Sequence, residues 1–288
     1  MLSESYQTPG RLLLNLAIPA GEIEIDTAPG DTTHVELEAL TDIARELLQH
    51  ARMELRERAG GHEVLVDVPS ARSWGFISFG RGPDFRLRVS CPPGPELDVN
   101  TKSADLRGRG VFGSSEIKTA SGDISVGEIQ GDAGIKTASG DVSLDEVHGR
   151  THVQTASGDL AIQRAHGDVT GQLVSGDVWI RDALASVALN TVSGDMRIDA
   201  VVEGAIDLTA ISGDIVIGLR RGSRVYVDCN TISGSTSSEL ALSDAPGQEA
   251  KEGPMVELRA KTVSGDIAVI RAAAPSPLTA QRSIGSEA

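Results

Sequence analysis

Seven aspartates recur at almost fixed spacing, Asp123, Asp141, Asp159, Asp177, Asp195, Asp214 and Asp266, each preceded by Ser-Gly. Carboxylates repeated in this way can do one of two things. Brought together, their oxygens attract hard cations such as Ca²⁺. Alternatively, each closes a tight turn in which glycine supplies a positive φ and the Ser and Asp side chains accept hydrogen bonds from backbone N–H groups. Stacked about 5 Å apart, neighbouring carboxylates repel by roughly 1 kcal/mol in water and about 3 kcal/mol at an effective dielectric of 20, so something must offset the repulsion. Turn hydrogen bonding is the expected answer. A calcium roll would need a regular second turn, and here that position reads Asp132, Arg150, Asp168, Ser186 and Ala205. The expectation is no bound metal and no cofactor, with Asp123 to Asp214 the first place to look for a cation. His148 and His166 are the other candidates, at equivalent positions 18 residues apart with His152 nearby. Imidazoles that close could bind Zn²⁺. No fourth ligand is recognisable, and exposed turn residues are the expected role.

Other chemistry finds little support. There is no nucleophile elbow, phosphate loop or zinc signature. The repeats from Ser103 to Asp195 are too uniform to carry the long, acid-lined loops of sugar-processing β-helices. A hexapeptide frame fails as well: Ile129 and Ile135 fit it, but Asp141 falls on the next position. The expected protein is not an enzyme. The alternative is a carbohydrate-active or metal-dependent enzyme, or a cation-binding module, using the Asp ladder or the stretch 235–254.

The elements that position these residues follow from the repeat itself. Starts of Ser-Gly-Asp differ by 18, 18, 18, 18 and 19, then Ser233-Gly234-Ser235 follows as a variant and Ser264 opens the last copy. Ser103-Ala104-Asp105 is a worn copy one period earlier. Within each period Ile124, Val142, Leu160, Val178, Met196 and Ile215 form one column, and Val126, Leu144, Ile162, Ile180, Ile198 and Ile217 lie two residues on. That is the alternation of a strand. A further apolar column, Ile135, Val153, Leu189 and Leu208, marks a second strand. Such a unit cannot bury its own apolar face, whereas stacked copies can. The fold class is therefore all-β, a β-solenoid of about 18-residue coils. Two more columns lie ahead of the turn. Thr119, Thr137, Thr155, Thr191 and Thr262 suit strand stacking, and Lys118, Lys136, Gln154, Gln172 and Asn190 make a polar, solubilising face.

Residues 1–95 read as an N-terminal β-rich cap of degenerate repeats, since Gly21-Glu22-Ile23-Glu24-Ile25 matches the coil pattern before it breaks down. Asp42 to about His50 is a predicted short helix, and two runs flanking Gly60-Gly61 a predicted hairpin. Residues 96–271 are the solenoid, with an inserted loop at about 235–254, and 272–288 a disordered tail. The loop 71–82 departs from the repeat. Arg72, Trp74, Phe76, Phe79 and Arg81 gather aromatic and basic residues suited either to a partner contact or to folding over the solenoid end.

The phrases Lys118-Thr119-Ala120-Ser121-Gly122-Asp123-Ile124 and Lys136-Thr137-Ala138-Ser139-Gly140-Asp141-Val142, with the opening Leu16 to Ile23, resemble the bacterial β-strand-repeat domain of unknown function catalogued as putative adhesins. The resemblance spans roughly residues 8–271. It implies the repeat architecture and transfers no catalytic residue.

Composition narrows the partner. With 41 acidic against 26 basic residues the net charge is −15, which disfavours nucleic acid. Two cysteines, Cys91 and Cys229, make no disulfide framework, as in a chain kept in a reducing compartment. No apolar run approaches the roughly 18 residues of a membrane span, and Leu12 to Ile18 alternates as a strand does. The expectation is a cytoplasmic scaffold presenting a rigid polar surface to a protein partner, without membrane insertion; export to the cell surface is the alternative. An open end near Ile270 would allow homo-oligomers through the solenoid ends.

Overall fold

The computed structural model describes residues 1–69, 82–240 and 253–272, and over these the chain forms 23 strands and one helix. The all-β solenoid expected from the repeat is what is found. Each regular coil contributes two short strands. The first five coils are β8 and β9 (Ser115–Ser121, Ile124–Ile129), β10 and β11 (Ala133–Ser139, Val142–Val147), β12 and β13 (Thr151–Ser157, Leu160–Ala165), β14 and β15 (Val169–Ser175, Val178–Ala183), and β16 and β17 (Val187–Ser193, Met196–Val201). Even-numbered strands stack in parallel on one face and odd-numbered strands on the other. Every residue therefore lies beside its counterpart one repeat away: Ile135 beside Ile117 and Val153, Leu144 beside Val126 and Ile162.

Alternation puts one side chain in two inward. The inward columns from both faces merge into one core that runs the length of the stack. Each fully buried Ile, Leu or Val contributes roughly 1.5–3 kcal/mol, and each coil completes the core of its neighbours. In the regular coils the Ser-Gly-Asp corner takes a glycine at positive φ, whereas Ala104 of the worn coil sits at the same register without it. Gly158 has φ 120°, and a Cβ there would lie 2.2 Å from the carbonyl oxygen of Gly140 on the coil below.

At the N-terminal end β2 (Arg11–Thr27) and β7 (Glu96–Phe112) each run through both faces and pair with each other. Their register sets Ala20, Gly21 and Glu22 beside Ser103, Ala104 and Asp105, so β2 is itself a worn coil. Beyond it come β5 (Gly61–Asp67) and β6 (Phe85–Cys91), still parallel to β2. Outside these the pairing becomes antiparallel. β4 (Arg52–Arg58) is antiparallel to β5, β3 (Thr32–Ala39) to β6, and β1 (Leu2–Gln7) to β3. Helix α1 (Asp42–Leu48) starts where the Thr41 side chain accepts from the Ala44 N–H, and it buries Ala44 and Leu47.

The far end departs from chain order. After β18 and β19 (Gly204–Ser212, Ile215–Leu219) the chain makes β20 and β21 (Arg224–Ser233, Thr236–Ser238), then β22 and β23 (Met255–Ser264, Ile267–Arg271). β22 pairs with β18 on one side and with β20 on the other, and β23 likewise lies between β19 and β21. The last coil in sequence is thus threaded beneath the one before it. The open end is therefore formed by β20 and β21, not by the residues near Ile270. Pairing with β23 also makes Thr236–Ser238 a strand within the stretch expected to be loop. The sequence signals were the irregular spacing after Ser212 and the Ser in place of Asp at position 235.

Candidate functional site

The Ser-Gly-Asp corners form a continuous polar ladder. The Asp141 N–H donates to Asp123 Oδ1 at 3.0 Å, Asp159 to Asp141 at 2.9 Å, and Asp177 to Asp159 at 2.8 Å. Asp195, Asp214 and Asp266 continue it at 2.8 Å each, and the Ser235 N–H ends it on Asp266 Oδ1 at 2.7 Å. One carboxylate oxygen per coil is thus engaged by the backbone of the next, which is what offsets the repulsion between neighbours. In the ladder each of these oxygens acts as a turn acceptor. Ser235 needs no carboxylate because, among the described residues, no further coil's N–H follows it in the ladder. The second corner obeys the same rule less regularly: Asp132 Oδ1 accepts from Arg150 N–H and Asp168 Oδ1 from Ser186 N–H. Those Arg150 bonds hold the Asp132 carboxyl below the usual range, the backbone bond first and the guanidinium second.

The Thr column faces inward, where Thr137, Thr155 and Thr191 hydroxyls donate to the carbonyls of Ser139, Ser157 and Ser193. Its neighbours on either side face outward, and one was not anticipated. The residue just before each Ser is Ala in the coils of Ala120, Ala138 and Ala156, then Val174, Val192 and Ile211, followed in space by Val263 and Ile232. The last five are 54, 45, 52, 45 and 78% exposed. This face is therefore amphipathic rather than uniformly polar. A shallow, open groove of about 900 Å³ runs between Ala156, Val174, Val192 and Ile211 and the column of Lys118, Lys136, Gln154, Gln172 and Asn190. The strip escaped notice because an aliphatic residue in a strand is read as core, and register is needed to see five of them side by side on the surface.

The histidines do come together. His148 and His166 stack with ring centroids 4.4 Å apart and planes 13° from parallel. Each meets a glutamate of the coil before: His148 Nε2 lies 3.2 Å from Glu128 Oε1, and His166 Nε2 lies 2.6 Å from Glu146 Oε1. The His166 bond, with Arg164 nearby, holds Glu146 below the usual carboxylate range against the opposing effect of burial. His152 is elsewhere, its Nδ1 2.9 Å from Thr170 Oγ1. The sequence reading missed both glutamates, although Glu128 and Glu146 share a column two residues before the histidine position.

Cys91 and Cys229 are free thiols. Burial, with Asp26 adding to it, pushes Cys91 up to about 12, and burial raises Cys229 as well. Neither is poised as a nucleophile at neutral pH. Arg72, Trp74, Phe76, Phe79 and Arg81 lie outside the described residues, as does the tail from position 273. Among the described residues no helix is long and apolar enough to cross a membrane.

A two-faced parallel β-solenoid whose corners are closed by self-bonded Gly-Asp turns defines the class. The chain belongs to the Toastrack DUF4097 family, whose model matches residues 10–182 and 172–270, as the Thr-Ala-Ser-Gly-Asp phrases implied. No curated protein matches it. Among solved structures it is similar to a putative adhesin from Bacteroides fragilis (12% identity, 93% of this chain and 96% of that one, TM-score 0.45). A putative lipid binding protein from Parabacteroides distasonis gives 10%, 94%, 96% and 0.46. A putative cell adhesion protein from Clostridium sporogenes gives 10%, 94%, 99% and 0.30.

Proposed function

We propose that this chain is a non-catalytic interaction module whose amphipathic face docks an amphipathic helix of a protein partner. The observation that carries the reading is the exposed strip Val174, Val192, Ile211, Val263 and Ile232 on five adjacent coils. Three coils place Ala at the same position, so the fold itself does not require bulk there. Contiguous exposed aliphatics of this kind mark interaction surfaces. The strip repeats every 4.8 Å or so, the spacing of paired strands. A helix with apolar residues three or four apart presents one about every 5 Å along its axis, so it can follow the strip over several coils. The flanking amides and lysines would meet its polar edge. The engagement of the Asp ladder by backbone N–H groups supports the non-catalytic part of the reading.

The decisive experiment compares the intact chain with the double variant Val192→Asp, Ile211→Asp in capture from native lysate, with a photo-crosslinker at position 190 to identify the segment contacted. A stoichiometric helical segment crosslinked to the intact chain and lost from the variant is expected. Both side chains are about half exposed, but the two new carboxylates stand side by side on adjacent coils and repel by roughly 1 kcal/mol in water, so circular dichroism must show the variant folded before capture is compared. Equal capture by both forms, or crosslinks only to lipid, would overturn the reading. Residence in a reducing compartment belongs to the same proposal, supported by two unpaired thiols. Cell fractionation tests it, and recovery of the chain outside the cell would count against it.

A further inference from the structure

We propose that Glu146, His148 and His166 form a Zn²⁺ site on the second corner of the solenoid, independent of the docking face. One ligand atom from each residue lies within 4.8 Å of the other two. Their backbones are fixed by the stack: His148 N–H donates to Ile129 carbonyl at 2.9 Å and His166 N–H to Val147 carbonyl at 2.8 Å. Their side chains are only partly buried. Turning the two rings out of their parallel stack would let the three atoms converge on one ion at the 2.0–2.2 Å or so that zinc requires of nitrogen and carboxylate ligands. Glu128, already 3.2 Å from His148 Nε2, stands beside the cluster as a second carboxylate.

The fold does not demand histidine here. The same column reads Gln130, His148, His166, Leu184 and Val202, so the imidazole pair belongs to two coils only. Two imidazoles with a carboxylate are the donor set of zinc sites that keep a fourth position open for water or a partner's ligand. Ca²⁺ and Mg²⁺ prefer all-oxygen shells and should be poor competitors. One neighbour opposes a cation: Arg164 Nη1 is 3.5 Å from Glu146 Oε1. Its other nitrogen lies 3.9 Å from Asp182 Oδ2, so the guanidinium has a second carboxylate to turn to when metal arrives.

Calorimetric titration of the full chain with Zn²⁺ alone tests the site. One ion per chain is expected, with Ca²⁺ and Mg²⁺ giving no comparable heat. His148→Ala, His166→Ala and Glu146→Gln should each weaken binding at least about tenfold, the loss that even an outer partner of a ligand brings. Arg164→Gln should tighten it, and His152→Ala should leave it unchanged. Nitrogen NMR gives an independent readout, since Zn²⁺ should shift Nε2 of His148 and His166 together, and circular dichroism confirms that each variant is folded. Absence of stoichiometric binding, affinity left unchanged in either histidine variant, or equal affinity for Ca²⁺ would overturn the assignment.

Discussion

At its N-terminal end the stack runs into strands of opposite direction, with β4 on β5 and β3 on β6, and a helix that buries Ala44 and Leu47. At the other end β20 and β21 are one more parallel coil, laid on β22 and β23. The inward residues differ accordingly. Val64 and Val66 of β5 are fully buried, whereas Val225, Val227 and Cys229 of β20 are only half-buried, and Tyr226 and Ile232 point outward. The N-terminal end also ties its strands across the outer surface, with Arg107 on Glu22 at 2.9 Å and Arg88 on Glu24 at 3.2 Å. Such exposed pairs add about 1 kcal/mol or less each. The difference teaches that a repeat propagates order from coil to coil, and that a coil with one neighbour holds only about half the interactions of an interior coil.

Glycine substitution should separate the two situations most sharply. In mid-stack, Gly158→Ala sets a Cβ against the Gly140 carbonyl at a φ that alanine resists, and should cost at least about 3 kcal/mol of global stability. Gly234→Ala meets the same obstacle, 2.1 Å from the Gly265 carbonyl oxygen, but in the terminal coil. It should loosen β20 and β21 while leaving the main urea transition nearly in place. Equal shifts of that transition in both variants would mean that the terminal coil folds as one unit with the rest.

Core truncation sharpens the same contrast at smaller amplitude. Leu144→Ala removes a fully buried side chain between Val126 and Ile162 and should cost about 2–5 kcal/mol. Val227→Ala removes a half-buried one and should cost about 1 kcal/mol or less. Chemical denaturation of the two variants decides it, and comparable losses would show that the end is closed in solution.

What could be read from the sequence was whatever every coil must repeat. Gly122, Gly140 and Gly158 recur because no Cβ fits the corner. The aspartates recur because each must accept the next N–H, and Ile or Val recurs wherever a side chain is sealed inside. Features that depend on which coil touches which were not legible. The threading of β22 beneath β20 reverses two coils and is marked only by the irregular spacing after Ser212 and the Ser at position 235, which do not say which coil touches which. Glu128 and Glu146 look like ordinary surface acids until register places them under His148 and His166. The aliphatic strip resembles core because Val and Ile are what strands normally carry.

The smallest expected effect concerns the bond that closes the ladder. Asp266 is held below the usual carboxylate range by the Ser235 backbone N–H first and the Ser235 hydroxyl second. A carboxylate depressed in the folded state contributes stability that is present above its unfolded pKa and is lost as pH falls through the lower folded value. The bond should therefore be intact at neutral pH and weaken only in acid, below the ordinary Asp value of about 3.9. An NMR titration following the Ser235 amide should show its shift move only in that acid range. In Asp266→Asn the amide oxygen can still accept but no longer titrates, so the Ser235 shift should become independent of pH. A Ser235 amide that moves identically in the variant would assign the acid sensitivity of this end to another group, and would leave the half-buried contacts of Val225 and Val227 as what fastens the terminal coil.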